Sequence, residues 1–210
     1  MHKYIIMGVQ GCGKGTQAKL LKEHLQLVHI SVGDIFRWNI QSRTKLGAKV
    51  NRYIAEGNLV PDELVAEVVK RRLDHHDWNY GFILDGFPRS RPQAEFFLES
   101  YDIDAVILIE VPDEVVIQRI LSRVLCSQCG LDYNLIFHRP IKENQCDVCS
   151  GELIRREDDN EEAIRRRLKD YHEKTKPIIE LFNKKELVIR VDGTHSAEEV
   201  QNEIRKKLNV

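Results

Sequence analysis

The run Gly8-Val9-Gln10-Gly11-Cys12-Gly13-Lys14-Gly15-Thr16 constrains this chain more than any other stretch; it follows the apolar Tyr4-Ile5-Ile6-Met7 and precedes a helical pattern from about Gln17. A strand, a glycine-rich turn and a helix in that order make a phosphate cradle. Glycines let backbone N–H groups wrap an anion without Cβ clashes, the helix adds its positive N-terminal end, and Lys14 reaches the outer phosphates as a point charge. The general pattern wants Ser or Thr directly after the lysine as a magnesium ligand, but here Gly15 stands there and Thr16 follows. The strand and helix flanks separate this run from an ordinary glycine turn.

With 210 residues the chain can bury one sizeable core, which favours a single α/β domain carrying insertions. Its 32 basic and 33 acidic residues leave a net charge of -1, so nothing global calls for a nucleic acid or a membrane as partner. Met1-His2-Lys3 and the short apolar run after it read as neither a signal peptide nor a membrane span. A cytoplasmic location is the expectation. Four of the five cysteines lie between Cys126 and Cys149, and in a reducing compartment that clustering points to a metal rather than to disulfides.

Along the chain, Ala18, Leu21 and Leu25 recur at helical spacing, Val28 to Ser31 forms a short strand, and a polar helical stretch runs to Gly57. His29 reads as a histidine at a strand edge. Helical periodicity resumes from Leu59 to Leu73, with Pro61 suited to a first turn. Phe82-Ile83-Leu84-Asp85 is a buried strand ending in a carboxylate, and the rule that ligands collect at the carboxyl ends of parallel strands puts Asp85 beside the glycine loop. Ala105 to Ile109 is another apolar strand. Pro112-Asp113 opens a helix expected to run through Arg119 and Arg123, which, four apart, would share a face. Val188 to Val191 makes the fifth strand, before a last helix from about Ser196. This alternation predicts a doubly wound, parallel sheet. It stops between Arg123 and Asn160, where Cys126-x2-Cys129 and Cys146-x2-Cys149 have the spacing of a closed, structural zinc site. Cys12 reads as a small residue that fits the loop.

Taken together these residues resemble the adenylate kinase family in its long-lid, zinc-bearing bacterial form. The resemblance spans essentially the whole chain: Gly11-x-Gly13-Lys14-Gly15-Thr16, Gly33-Asp34-x-x-Arg37, Asp85-Gly86-Phe87-Pro88-Arg89 with Gln93, Arg119 with Arg123, the four cysteines, Arg156-x-Asp158-Asp159, Arg167 and Val191-Asp192-Gly193. It implies the P-loop nucleoside-monophosphate kinase fold. The core would be 1–30, 61–122 and 161–210, the monophosphate-binding insertion 31–60, and the zinc-bearing lid 123–160. It further implies reversible transfer of a phosphoryl group from ATP to AMP, a structural zinc ion, magnesium entering with ATP, and a monomer.

Carried over by position, Gly11, Cys12, Gly13, Lys14, Gly15 and Thr16 would hold the ATP phosphates. Arg119, Arg123, Asp132, Tyr133, Phe137 and His195 would line the rest of the ATP site, and Asp85 would act on magnesium through water. The AMP pocket would comprise Val32, Arg37, Asn58, Leu59, Val60, Gly86, Phe87, Pro88, Arg89 and Gln93, with Arg156 and Arg167 bridging the two phosphate groups. Lys14, Arg89, Arg123, Arg156 and Arg167 would carry the chemistry. That set suits a reaction needing positioning and charge neutralisation rather than a general base, because the attacking phosphate oxygen is already an anion. At least one of Arg165, Arg166 and Arg167 is expected to be a solvated helix charge.

Three positions depart from the family pattern: Gln10 stands for its usual proline, Asn134 for its usual lid histidine, and Val32 for the threonine whose hydroxyl faces the monophosphate base. The last leaves GMP or a pyrimidine monophosphate as rival acceptors. A rival from another class, an ATPase bearing a nucleic-acid-binding zinc ribbon, is opposed by five Lys/Arg against seven Asp/Glu between Arg123 and Asn160, a net of -2.

Overall fold

The apolar runs become five parallel strands in the computed structural model, which describes residues 1–156 and 159–210. In chain order the elements are β1 Lys3–Met7, α1 Lys14–Leu25, β2 Val28–Ser31, α2 Val32–Gln41, α3 Lys45–Ala55, α4 Asp62–Asp74, β3 Phe82–Asp85, α5 Arg91–Ser100, β4 Ala105–Glu110 and α6 Asp113–Leu121. Next come β5 Arg123–Cys126, β6 Asp132–Asn134, β7 Leu153–Ile154 and α7 Glu161–Asp170. A π-helical turn, Tyr171–Thr175, and a 3-10 turn, Lys176–Ile178, lead into α8 Ile179–Asn183, β8 Val188–Asp192 and α9 Ala197–Leu208.

The large sheet has the order β2-β3-β1-β4-β8, all parallel. Its side chains alternate between two separate cores, as a strand period of two requires. Ile5, Met7, Phe82, Leu84, Val106 and Leu108 face α4, α5 and α8 with α2 and α3, while Tyr4, Ile6, Ile83, Ile107 and Ile109 face α1, α6, α7 and α9. Strand order reverses around β1, where the chain has strands from later segments on both sides. Loops leaving the carboxyl end of β1 and of its neighbour β3 therefore meet in one crevice.

Two regions depart from the simple alternation. The stretch expected to be one polar helix is two: Thr44, which caps α3 by accepting from Gly47 N, and Arg43 at φ 51 mark the break. The helix expected to carry both Arg119 and Arg123 stops at Leu121. Arg123 instead opens β5, because its backbone pairs with Asn134 across a small antiparallel sheet of order β6-β5-β7. The two arginines do not share a helical face. That small sheet closes over its own core of Val124, Cys126, Tyr133, Cys146 and Leu153.

Candidate active site

Gly13 caps α1 at φ 103, a left-handed conformation costly to a residue with a Cβ, and so turns the chain sharply from the loop into the helix. Lys14 opens that helix. Its ammonium donates to the carbonyls of Gly8 at 2.8 Å and Val9 at 2.9 Å, which holds it inside the loop. The end of β3 comes beside it: Ile6 is in register with Asp85, and a Cβ on Gly15 would sit 3.8 Å from Asp85 Oδ2. His29, read as a strand-edge residue, is on edge strand β2, yet its ring is largely buried with Nε2 3.5 Å from Asp85 Oδ2. A buried carboxylate and the hydroxyl of Thr16 are oxygen donors of the kind that suits magnesium directly or through water.

On the other side of β3, two guanidinium groups flank paired glycines. A Cβ on Gly33 would meet Arg37 Nη2 at 3.1 Å, and one on Gly86 would meet Arg89 Nη2 at 3.1 Å. A side chain at either glycine would press its guanidinium aside by a few tenths of an ångström. Arg37 pairs with Asp34, and although desolvation pushes that carboxyl up, the Arg37 charge and hydrogen bond, the Ser31 hydroxyl and the Arg156 charge hold it below the usual carboxylate range. Gln93 is fixed at both ends: its Oε1 accepts from Arg89 N at 2.8 Å and its Nε2 donates to Asp62 Oδ1 at 2.7 Å. Ser90 donates to the same Asp62 oxygen, and Thr175, in the π-helical turn, donates to the Arg89 carbonyl at 2.8 Å. Asp62, Ser90 and Thr175 escaped the sequence reading, which had no signal linking them to Arg89. Val32 and Val60 are buried in the same apolar cluster as Phe87, while Asn58 receives Arg166 and Leu59 borders the crevice.

A crevice of about 90 Å³ joins the two halves, lined by Gly8, Gln10, Lys14, Leu59, Gly86, Phe87, Pro88, Arg89, Arg167 and Tyr171 among others. In the triple arginine run, Arg165 pairs outward with Glu161, Arg166 pairs with Glu162 while also donating to Asn58, and Arg167 turns inward.

Arg119 spans the glycine loop and the turn after β8, donating to Cys12 O at 3.4 Å and to Thr194 O at 3.5 Å, next to the exposed His195. Its guanidinium lies over the Phe137 ring at 5.5 Å, a cation–π arrangement. Asn134 builds that turn: its Oδ1 accepts from the backbone N–H groups of Ile136 and Phe137, and its Nδ2 donates to Arg119 O. Asp132 lies between Lys19 at 3.4 Å and Arg156 at 4.0 Å, and so ties the small sheet to α1. Tyr133 points the other way. Its hydroxyl donates to Cys146 Sγ and accepts from Asp147 N, so its ring belongs to the interior of the small sheet. Asp158, part of the motif around Arg156, lies outside the described residues.

The sulfurs of Cys126, Cys129, Cys146 and Cys149 lie within 4.8 Å of one another. Four thiolates around a tetrahedral ion at about 2.3 Å would sit about 3.8 Å apart, so the cluster has the right size for a metal. Gly151 leaves room for it, since a Cβ there would come within 2.8 Å of Cys126 Sγ. The Tyr133 hydroxyl pulls the Cys146 thiol down to about 6. For Cys129, a backbone N–H from Leu131 favours the thiolate, but the neighbouring sulfurs and burial override it and push the thiol up to about 12. Among the described residues no helix is long and apolar enough to cross a membrane.

Known proteins give this geometry its context. Residues 6–187 match the sequence profile described as adenylate kinase. The chain is 48% identical to an adenylate kinase of Thermotoga maritima over 96% of this chain and 94% of that one. It is 43% identical to that of Acetivibrio thermocellus over 99% and 98%, and 44% identical to that of Clostridium tetani over 97% of both. A glycine loop on β1, a carboxylate beside it on β3, two arginines over paired glycines and a four-cysteine sheet occur here in one crevice-bearing α/β unit, and with this likeness along nearly its whole length the chain belongs to the adenylate kinase family.

Proposed function

We infer that the chain transfers the terminal phosphoryl group of ATP to AMP, reversibly, giving two ADP. The observation that carries this reading is the single crevice onto which Lys14, Arg89 and Arg167 all open, with a phosphate loop on one side and the Arg37–Arg89 pocket on the other. ATP phosphates would lie on the loop N–H groups from Gly11 to Thr16, with Lys14 leaving the Gly8 and Val9 carbonyls to meet them. The adenine of ATP would lie against Arg119, Phe137 and the backbone near His195. AMP phosphate would be received by Arg37 and Arg89, its base between Val32, Val60 and Gln93. Gln93 is already pinned by Asp62 and Arg89 N, which orients its amide before any base arrives.

No side chain has to remove a proton, because the attacking oxygen of AMP is an anion. What the site supplies is alignment and compensation of the charge spread over the transferring group. Lys14, Arg89, Arg123, Arg156 and Arg167 fill that role. Asp85 and Thr16 would hold the magnesium that enters with ATP, whose charge would offset that of the phosphates. Tyr133, committed to the cysteine cluster, would contact nucleotide through its backbone. Residues 123–160 form the lid and 31–60 the monophosphate flap on this reading, and their closure excludes water, the competing nucleophile. Zinc is the metal that suits four thiolates with no open position. A monomeric, cytoplasmic enzyme completes the proposal.

Val32 favours one rival, weaker selection of AMP over other monophosphates. A coupled assay with ATP and each of AMP, GMP, CMP and UMP tests both readings: AMP should have the highest kcat/KM, and no transfer to any of the four would sink the function.

A further inference from the structure

Gln10 occupies the first turn after β1, and its amide oxygen accepts a hydrogen bond of 3.0 Å from Arg167 Nη1, on α7. The same guanidinium donates through Nη2 to the Ile54 carbonyl at 3.1 Å, at the C-terminal end of α3, where carbonyl oxygens and the helix dipole favour a cation. Arg167 is therefore gripped from the phosphate loop and from the 31–60 insertion at once, and both Gln10 and Arg167 border the crevice beside Lys14 and Arg89. A planar guanidinium held at two of its nitrogens has its plane fixed as well as its position.

We propose that Gln10 is a positioning residue for phosphoryl transfer: it holds Arg167 at the seam between the two nucleotide sites. This rests on the reading of the crevice as the transfer site. The residue type matters. An amide oxygen is a neutral acceptor, so it orients the guanidinium without cancelling its charge, whereas a carboxylate would neutralise Arg167 and repel the incoming phosphates. A proline, which the family resemblance expects here, offers no side-chain acceptor at all. This chain thus has a hold on Arg167 that a proline-bearing loop lacks. It also links the loop to α7, so that the loop's position and the arginine's orientation are set together.

A hydrogen bond to a charged group is worth about a factor of ten when lost. Gln10→Met keeps the length and removes both polar ends. It should lower kcat about tenfold while KM for ATP stays within about twofold, with an unchanged melting temperature. In an Arg167→Lys background the same change should cost little more, because the group it orients is gone. Nitrogen-15 NMR of the arginine side chains adds a readout independent of turnover: the Arg167 Nε–H resonance should move in Gln10→Met. In Gln10→Glu it should stay tethered, while KM for both nucleotides rises through charge repulsion. Equal losses in both backgrounds, or an unmoved resonance, would overturn the role of Gln10 in an otherwise active enzyme. Wild-type protein inactive toward every monophosphate would instead bring down the functional reading and the transfer role together.

Discussion

Arg123 forks onto Asp159 with both ends of its guanidinium, Nε to Oδ2 at 2.9 Å and Nη2 to Oδ1 at 2.6 Å, and the Asp159 carboxylate is only 2% exposed. The pair joins the first residue of β5 to the segment just before α7, the two points where the chain enters and leaves the cysteine-bearing sheet. Breaking a buried pair from one side strands the other charge and costs about 3–5 kcal/mol. Asp159→Ala should therefore speed proteolytic cleavage within 123–160 severalfold. Arg123→Ala should do the same and also lower kcat by about 10³, since it removes a charge proposed to meet the transferring group. Losses of only twofold in turnover would place Arg123 outside the reaction.

The cysteine cluster should hold one zinc ion per chain, measured by atomic absorption on freshly purified protein. Cys149→Ser should lower that occupancy. Metal binding of this kind contributes on the order of 10 kcal/mol in small zinc peptides, so chelation should expose 123–160 to protease while the core melting transition stays in place. Full zinc retention in Cys149→Ser would remove that residue from the ligand set.

Thr175 donates to the Arg89 carbonyl from the π-helical turn that follows α7, a local form that is frequent at functional sites. Thr175→Val deletes the hydrogen bond to the Arg89 carbonyl and nearly keeps the shape. KM for AMP should rise about fivefold, the worth of about 1 kcal/mol, with KM for ATP unmoved. Thr175→Ser should restore it. An equal rise for both nucleotides would mean a general loosening instead.

Val32 is 3% exposed at the first turn of α2, in the apolar cluster with Phe36, Val60 and Phe87. Val32→Thr should lower KM for AMP severalfold and change GMP less, if its hydroxyl finds the base. Without nucleotide the added hydroxyl would be buried among apolar side chains and should cost about 1–3 kcal/mol of stability. An unchanged AMP to GMP ratio of kcat/KM would show that the side chain does not face the base.

Tyr4 gives a pH signature of the core. Burial, then the nearby Asp104 charge, raises its phenol to about 12 from an ordinary 10.0. A raised folded value favours the neutral phenol, so this contribution is complete below pH 10.0 and is lost as pH rises toward about 12. Urea midpoints measured from pH 9 to 12 should fall over that window, and Tyr4→Phe should flatten the fall.

Much of this molecule is written locally. The glycine run, the apolar strands and the CxxC pairs each need only a short window, because a loop that cradles phosphate, a strand buried on both faces and a turn that aims two thiolates are all set by neighbours in sequence. Asp85 was legible too, since the strand-end rule converts a one-dimensional position into a place beside the loop. The break between Arg119 and Arg123 was not. Helical spacing carried through Arg123, and what ended the helix was Asn134, eleven residues further on, pairing with Arg123 across the small sheet.

The sequence by itself determined the parallel α/β class, the glycine loop, the cysteine cluster and the arginines proposed to neutralise phosphate. Tertiary structure alone decided which of those charges face one crevice and what holds them there. Arg165, Arg166 and Arg167 are alike as a string, yet the first pairs with Glu161 on the helix surface, the second pairs with Glu162 and also reaches Asn58, and the third turns to Gln10 and Ile54. Asp62, Asp159 and Thr175 gained their roles the same way. Each acts on an arginine or glutamine brought to it by the packing of separate elements, and a contact between elements has no period or spacing for a sequence to display.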